Sequence, residues 1–245
     1  MDLISQLRTE LLSQNLPPPS QTLLTQLTTA RNPPPPVPSL LATAKARLLA
    51  CDLASSPPVL DISSLSALPP DVEDATKKAM KLPRDVFVQV LDVENLSLSR
   101  WEQVEELEAI ERGERTRGRE VIRVTAEDDD EANQPRTQTQ ASTAGQDQNQ
   151  RAAGKGATHR ITLQDHSGKR VYGLELQRIG RVGVGSTLIG EKWLLRKGTT
   201  VSRGVVMLTP ESCAVLGGKV EAWHKSWVEG RLDRLKKAVG SDRPA

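Results

Sequence analysis

Three histidines, His159, His166 and His224, and two cysteines, Cys51 and Cys213, are the natural candidates for metal or thiol chemistry in this 245-residue chain. Their spacing argues against both. Structural zinc sites draw ligands from close pairs, about two to four residues apart, and no two of these five residues stand that near each other. The cysteines read as reduced, core or semi-buried thiols of an intracellular protein. Gly154-Lys155-Gly156 lacks the glycine spacing and the Lys-Ser/Thr ending of a phosphate loop. Gly180 to Gly185 is glycine-rich but follows a strand without opening a helix, so it reads as a flexible loop. The run Asp128-Asp129-Asp130-Glu131 could attract a cation loosely, yet a solvated acidic loop is the simpler reading. No serine, threonine or cysteine has a local base and orienting acid beside it. The chain is therefore expected to be no enzyme, with no metal and no cofactor.

Binding is left, and charge and aromatic content bear on it. The net charge of +2 hides an asymmetry. Residues 94–131 carry 13 acidic against 6 basic side chains, a formal charge of −7. Residues 159–245 carry 16 basic against 8 acidic, or +8, enough to attract nucleic acid or an acidic protein surface. Phe87, Trp101, Tyr172, Trp193, Trp223 and Trp227 are the full aromatic complement. Trp223 and Trp227 share a helical face and read as core. Single-strand binders stack bases on several aromatic rings. Direct DNA binding is therefore expected to be weak, electrostatic and steeply salt-dependent. No run approaches the roughly 20 apolar residues of a membrane helix, and the N-terminus lacks a secretion signal.

The elements that must position these residues fall into two modules. Leu3, Leu7 and Leu11 predict a helix stopped by Pro17-Pro18-Pro19, with Asp2 as its cap. Ser20 caps a second helix bearing Leu23, Leu24 and Leu27. After the stiff Pro33–Pro36 spacer, a third helix runs from about Ser39 to Cys51. Residues 1–54 form a small helical bundle on this reading. Residues 55–84 form a wrapping linker with a helical stretch near Asp71 to Lys81. Five strands follow within residues 85–239, at Val86–Val93, Arg160–Gln164, Lys169–Gln177, Lys192–Arg196 and Gly204–Leu208. Asp165-His166-Ser167-Gly168 is a turn between the second and third, and Gly173 marks a bulge or coil. A last helix runs from Lys219 towards Val239. Between the first two strands lies an insertion, 94–157. Trp101, Val104, Leu107 and Ile110 recur at offsets of three in its acidic, helix-like part, and its stretch 126–158 is expected to be disordered. The fold class is α+β: a helical bundle packed on a five-stranded OB-type barrel with a long insertion and a C-terminal helix. Lys192 and Trp193 open a strand and read, on residue type alone, as an edge lysine beside a core indole.

With these pieces in order, the chain resembles the RecQ-mediated genome instability protein 1 family in its compact fungal form. The resemblance covers roughly residues 38–235. It rests on Ala46-Arg47-Leu48-Leu49, Val88 to Asn95, Leu163-Gln164-Asp165, Tyr172 to Gln177, Gly190 to Leu195, Gly204 to Glu211 and Leu216 to Glu221, taken in sequence. It implies a nuclear, non-catalytic scaffold that binds topoisomerase III, a type IA enzyme, and with it a RecQ-family helicase. Such a complex decatenates DNA and dissolves double Holliday junctions in DNA repair and recombination. The resemblance further implies that the insertion reaches into the topoisomerase gate; on their spacing in its helix-like part, Trp101, Val104 and Leu107 are the anchors expected there. The family lysine that supports complex formation falls on Lys192. Lys192 and Trp193 are thus the expected topoisomerase-binding residues, on the barrel surface. Animal members carry a second OB domain that recruits a small partner subunit; residues up to Ala245 leave no room for that domain, so the resemblance leaves recruitment of the small subunit open. The alternative from another class is a free-standing OB module for single-stranded nucleic acid, for which only Tyr172 offers an evident stacking ring.

Overall fold

The computed structural model describes residues 2–54, 59–113 and 156–241. Two compact units divide the chain, residues 1–97 with 157–231 and residues 98–156 with 232–245. The first unit opens with three helices, α1 (Leu3–Ser13), α2 (Gln21–Thr29) and α3 (Val37–Ala50). Each is too short to persist alone, so its stability comes from burying one leucine-bearing face. Leu7 and Leu11, Leu23 and Leu24, and Leu40 and Leu48 meet in a common core. The Ser20 hydroxyl accepts the Leu23 N–H at 3.0 Å and starts α2 where its cap was expected. Asp2 stands at the first cap position without a side-chain cap bond.

Residues 59–82 wrap from helices to sheet. The helix expected near Asp71 to Lys81 is instead a series of turns ending in a two-residue strand, β1 (Met80–Lys81). The Asp74 carboxylate takes the Thr76 N–H at 2.9 Å and its hydroxyl at 2.6 Å, a local bonding pattern that competes with helix. Leu68, Val72 and Leu82 then enter the barrel core, so this segment contributes apolar burial of its own.

Seven further strands complete the sheet: β2 (Val86–Asn95), β3 (His159–Asp165), β4 (Arg170–Glu175), β5 (Lys192–Leu195), β6 (Thr200–Ser202), β7 (Val205–Leu208) and β8 (Cys213–Gly217). Their order is β1-β6-β7-β4-β3-β2-β5-β8. All neighbours are antiparallel except β4 and β7. Only residues 209–212 separate β7 from β8, which lie far apart in this order, so the sheet must curl round on itself. Five expected strands are present, and three that were not expected join them, making eight. Inward residues Val88, Val90, Ile161, Leu163, Val206 and Leu208 alternate with outward ones, the period-two pattern of a sheet with one buried face.

The expected turn at Asp165 is built by that residue. Its buried carboxylate accepts the Ser167 and Lys169 N–H groups at 2.9 Å each, and its other oxygen takes Leu68 N–H at 2.7 Å. The bulge expected at Gly173 lies elsewhere, between Val90 and Asp92 of β2. Gly173 serves close packing instead: a Cβ there would stand 2.7 Å from Leu208 Cδ1. The single C-terminal helix is two, α5 (Glu221–Glu229) and α6 (Arg231–Ser241), separated at Gly230, whose N–H caps α5. Trp223 and Trp227 of α5 pack against the barrel core, with Trp227 Nε1 donating to Asp92 Oδ1 at 2.6 Å.

The second unit contains α4 (Arg100–Glu111) and α6 from residue 232 onward, tied by Lys236 Nζ to Glu108 Oε1 at 2.7 Å. Ser99 and Glu102 form a reciprocal capping box at the start of α4. No helix among the described residues is long and apolar enough to cross a membrane.

Candidate functional site

β5 lies between β2 and β8, so Lys192 is no edge residue. Its register against Gln89 of β2 and the shift between Lys192 and Trp193 turn its side chain towards the end of α3. There Nζ donates to the Leu49 carbonyl at 3.2 Å and to the Gly190 carbonyl at 2.5 Å, with none of the residue exposed. Burial pushes its pKa down to about 8, against the pull of Cys51, Asp52 and Glu191. Trp193 is equally buried, and its indole N–H donates to Glu191 Oε2 at 3.2 Å. Burial raises the pKa of Glu191, and that indole bond works in the opposite direction. The expectation that Lys192 and Trp193 form an exposed contact surface is therefore corrected. Neither is exposed: Lys192 joins barrel to helices from inside, and Trp193 packs in the barrel core.

Two neighbours complete the joint. Gln89, also fully buried, accepts Leu53 N–H on Oε1 at 2.9 Å and donates from Nε2 to Asp52 Oδ1 at 2.6 Å. Gly218, at φ +84°, lies so close to α3 that a Cβ would come within 2.3 Å of the Leu49 carbonyl oxygen. A lysine, a glutamine and a glycine from three different strands or strand ends thus seat one helix terminus.

The insertion leaves the sheet after Asn95 and returns at His159. Both of its stems are fastened, by Leu96 N–H to the Thr158 carbonyl and Thr158 N–H to Ser97 Oγ, each 2.9 Å. Of its three expected anchors, Trp101 is 54% exposed, Leu107 is half-buried and Val104 is 2% exposed. They do not share one solvent-facing stripe: Trp101 is exposed and Val104 is buried. The stretch 126–158, including the Asp128–Glu131 run, lies outside the described residues up to residue 155.

Sequence reasoning missed a buried cluster at the return stem. His159 Nδ1 lies 2.7 Å from Glu175 Oε2, and Arg178 and the Ile179 N–H also reach Glu175. Burial opposes ionisation of Glu175, but these partners outweigh it and hold its pKa below the ordinary value. The signal was available, since the hairpin register that pairs Arg160 with Leu174 sets His159 opposite Glu175. Among the described residues no group of three metal-ligating side chains converges.

A helical module latched to an OB barrel, with a long excursion after the first long strand, defines the class of protein. Family models carry it further. The one described as RMI1, N-terminal OB-fold domain, matches residues 68–231, and the one described as RMI1, N-terminal helical domain, matches residues 11–56. The chain belongs to the RecQ-mediated genome instability protein 1 family. RecQ-mediated genome instability protein 1 of Schizosaccharomyces pombe is 31% identical to it over 153 residues. That match spans 62% of this chain and 63% of the relative, a little under two thirds of the relative's length.

Proposed function

We propose that this chain is a non-catalytic scaffold that binds topoisomerase III and, with it, a RecQ-family helicase in the nucleus. In this role it promotes decatenation and the dissolution of double Holliday junctions, with only weak electrostatic DNA binding of its own. The reading takes residues 1–54 as the helical module, 55–84 as the connecting segment and 85–239 as the OB-fold domain. The observation that carries it is the order of the two family matches, helical at 11–56 and OB at 68–231. Both lie within one chain whose barrel is interrupted by a long insertion with fastened stems.

A type IA topoisomerase holds a cut strand open while another passes, and an open gate needs a stabiliser. A loop fixed at both ends to a rigid barrel has a high effective concentration at a bound neighbour. The exposed indole of Trp101 would seat against the enzyme, with Val104 and Leu107 holding the helix that presents it. Lys192 and Trp193 would act at one remove, by keeping the barrel and helices in the arrangement the topoisomerase recognises. The test is whether the purified chain co-elutes with topoisomerase III at moderate salt. A single complex peak is expected; separate elution of the two proteins overturns the proposal.

A further inference from the structure

The parallel pair β4–β7 has an outer face that its composition leaves unexplained. Parallel strands are ordinarily covered on both faces. Here the register pairs Tyr172 with Val205 and Leu174 with Met207 on the outward side. Tyr172 is 49% exposed, and Leu176, just past the end of β4, is 57% exposed. Leu174, Val205 and Met207 are half-buried.

The tyrosine ring is held in place. The Arg160 guanidinium, from β3, lies 5.0 Å from its centroid. That guanidinium is itself fixed by Glu94, which accepts from Nε at 2.9 Å and from Nη2 at 2.5 Å. Two residues before the Tyr172–Val205 pair stand Arg170 on β4 and Arg203 on the turn entering β7. Both are exposed, and neither forms an ion pair among the described residues. Two acidic groups of the sheet are engaged, Glu94 by Arg160 and Asp92 by the indole N–H of Trp227, whereas the exposed Glu73 lies with its backbone against Gly204, next to Arg203.

We infer that the outer face of β3, β4 and β7 binds a short stretch of single-stranded nucleic acid. One base stacks on Tyr172, the neighbouring apolar side chains take the next base or sugar, and Arg170 and Arg203 meet the phosphates. Three features favour nucleic acid over a protein segment. β3 and β4 follow β2 as the second and third long strands of an OB barrel, the surface on which such folds lay oligonucleotides. A ring backed by a guanidinium is a ready stacking platform, tolerant of base identity. The two free cations match phosphates in sign and lie at one end of the apolar strip. A single ring makes the site weak, in keeping with the aromatic-poor composition. The inference deepens the weak DNA contact of the proposed function, but it does not require topoisomerase binding.

The test uses the full chain and a fluorescent oligothymidylate of about 15 nucleotides, read by anisotropy at low and physiological salt. Tyr172→Ala should weaken binding about tenfold at low salt, and Tyr172→Trp should preserve it. Arg170→Glu and Arg203→Glu should each weaken binding and flatten its salt dependence. Unchanged thermal midpoints, expected for these exposed positions, establish that the variants fold. Parent-like oligonucleotide binding by Tyr172→Ala and both arginine variants overturns the inference. So does loss of topoisomerase co-elution with oligonucleotide binding intact, which would make the face a protein-docking surface. If the parent fails to co-elute with topoisomerase while Tyr172 still governs oligonucleotide binding, this site stands and the scaffold reading falls.

Discussion

Lys192 is where a charged residue acts by being hidden. An ammonium out of water is tolerated only when its donors are used, and Leu49 and Gly190 use two of them with backbone carbonyls. Lys192→Ala removes both bonds, leaves two carbonyls unpaired and opens a cavity, a loss of about 2–4 kcal/mol. A clear fall in the thermal midpoint is expected, with topoisomerase binding weakened as a consequence. An unshifted midpoint would contradict the clasp. The pH dependence has a definite sign. The folded-state pKa, about 8, lies below the ordinary lysine value of 10.5, so the cost of burying the charge is complete below pH 8. Between those two values the native amine is neutral while the unfolded one is charged, so this residue's contribution to stability rises with pH. Urea titrations should show that rise in the parent and not in Lys192→Met. The burial itself was not legible in the sequence. Lysine at a strand start reads as an edge residue, and only the neighbouring strands β2 and β8 and the carbonyl of a helix 143 positions away reveal otherwise.

Elements were legible in proportion to their length and apolar periodicity. The leucine spacing of α1 to α3 and the alternation in β2 and β3 carry enough repeats to be read directly. β1 and β6 do not, since they span two and three residues, and β8, although five residues long, lacks the buried–exposed alternation that would mark it. The cluster of His159, Glu175 and Arg178 was hidden for a related reason, because it exists only once the β3–β4 register is set. The faces of the insertion's helix were half legible. An offset of three alone does not say which side of a helix faces solvent, and Trp101 is exposed where Val104 is buried. Trp101→Ala should therefore leave the thermal midpoint unchanged and reduce stimulation of decatenation several-fold, as loss of an aromatic hot spot does. A parent-like decatenation rate for this variant would remove Trp101 from the interface.

At the scale of the molecule, the strongly acidic segment 94–131 and the basic segment 159–245 occupy one chain with a net charge of only +2. The acidic part suits a basic, DNA-lined gate, whereas the basic part suits phosphates, and both attractions are screened by salt. Loop length matters little to closure, since doubling it adds only about 0.6 kcal/mol of entropy. Shortening 126–155 alone should therefore leave decatenation close to that of the parent, with a large loss showing that its composition matters. The most direct measurement replaces residues 98–156 with a short Gly/Ser link and follows decatenation by topoisomerase III. The account predicts a protein that still co-elutes with the topoisomerase but no longer stimulates it. A replaced chain that stimulates decatenation like the parent would contradict the gate role and with it the central claim.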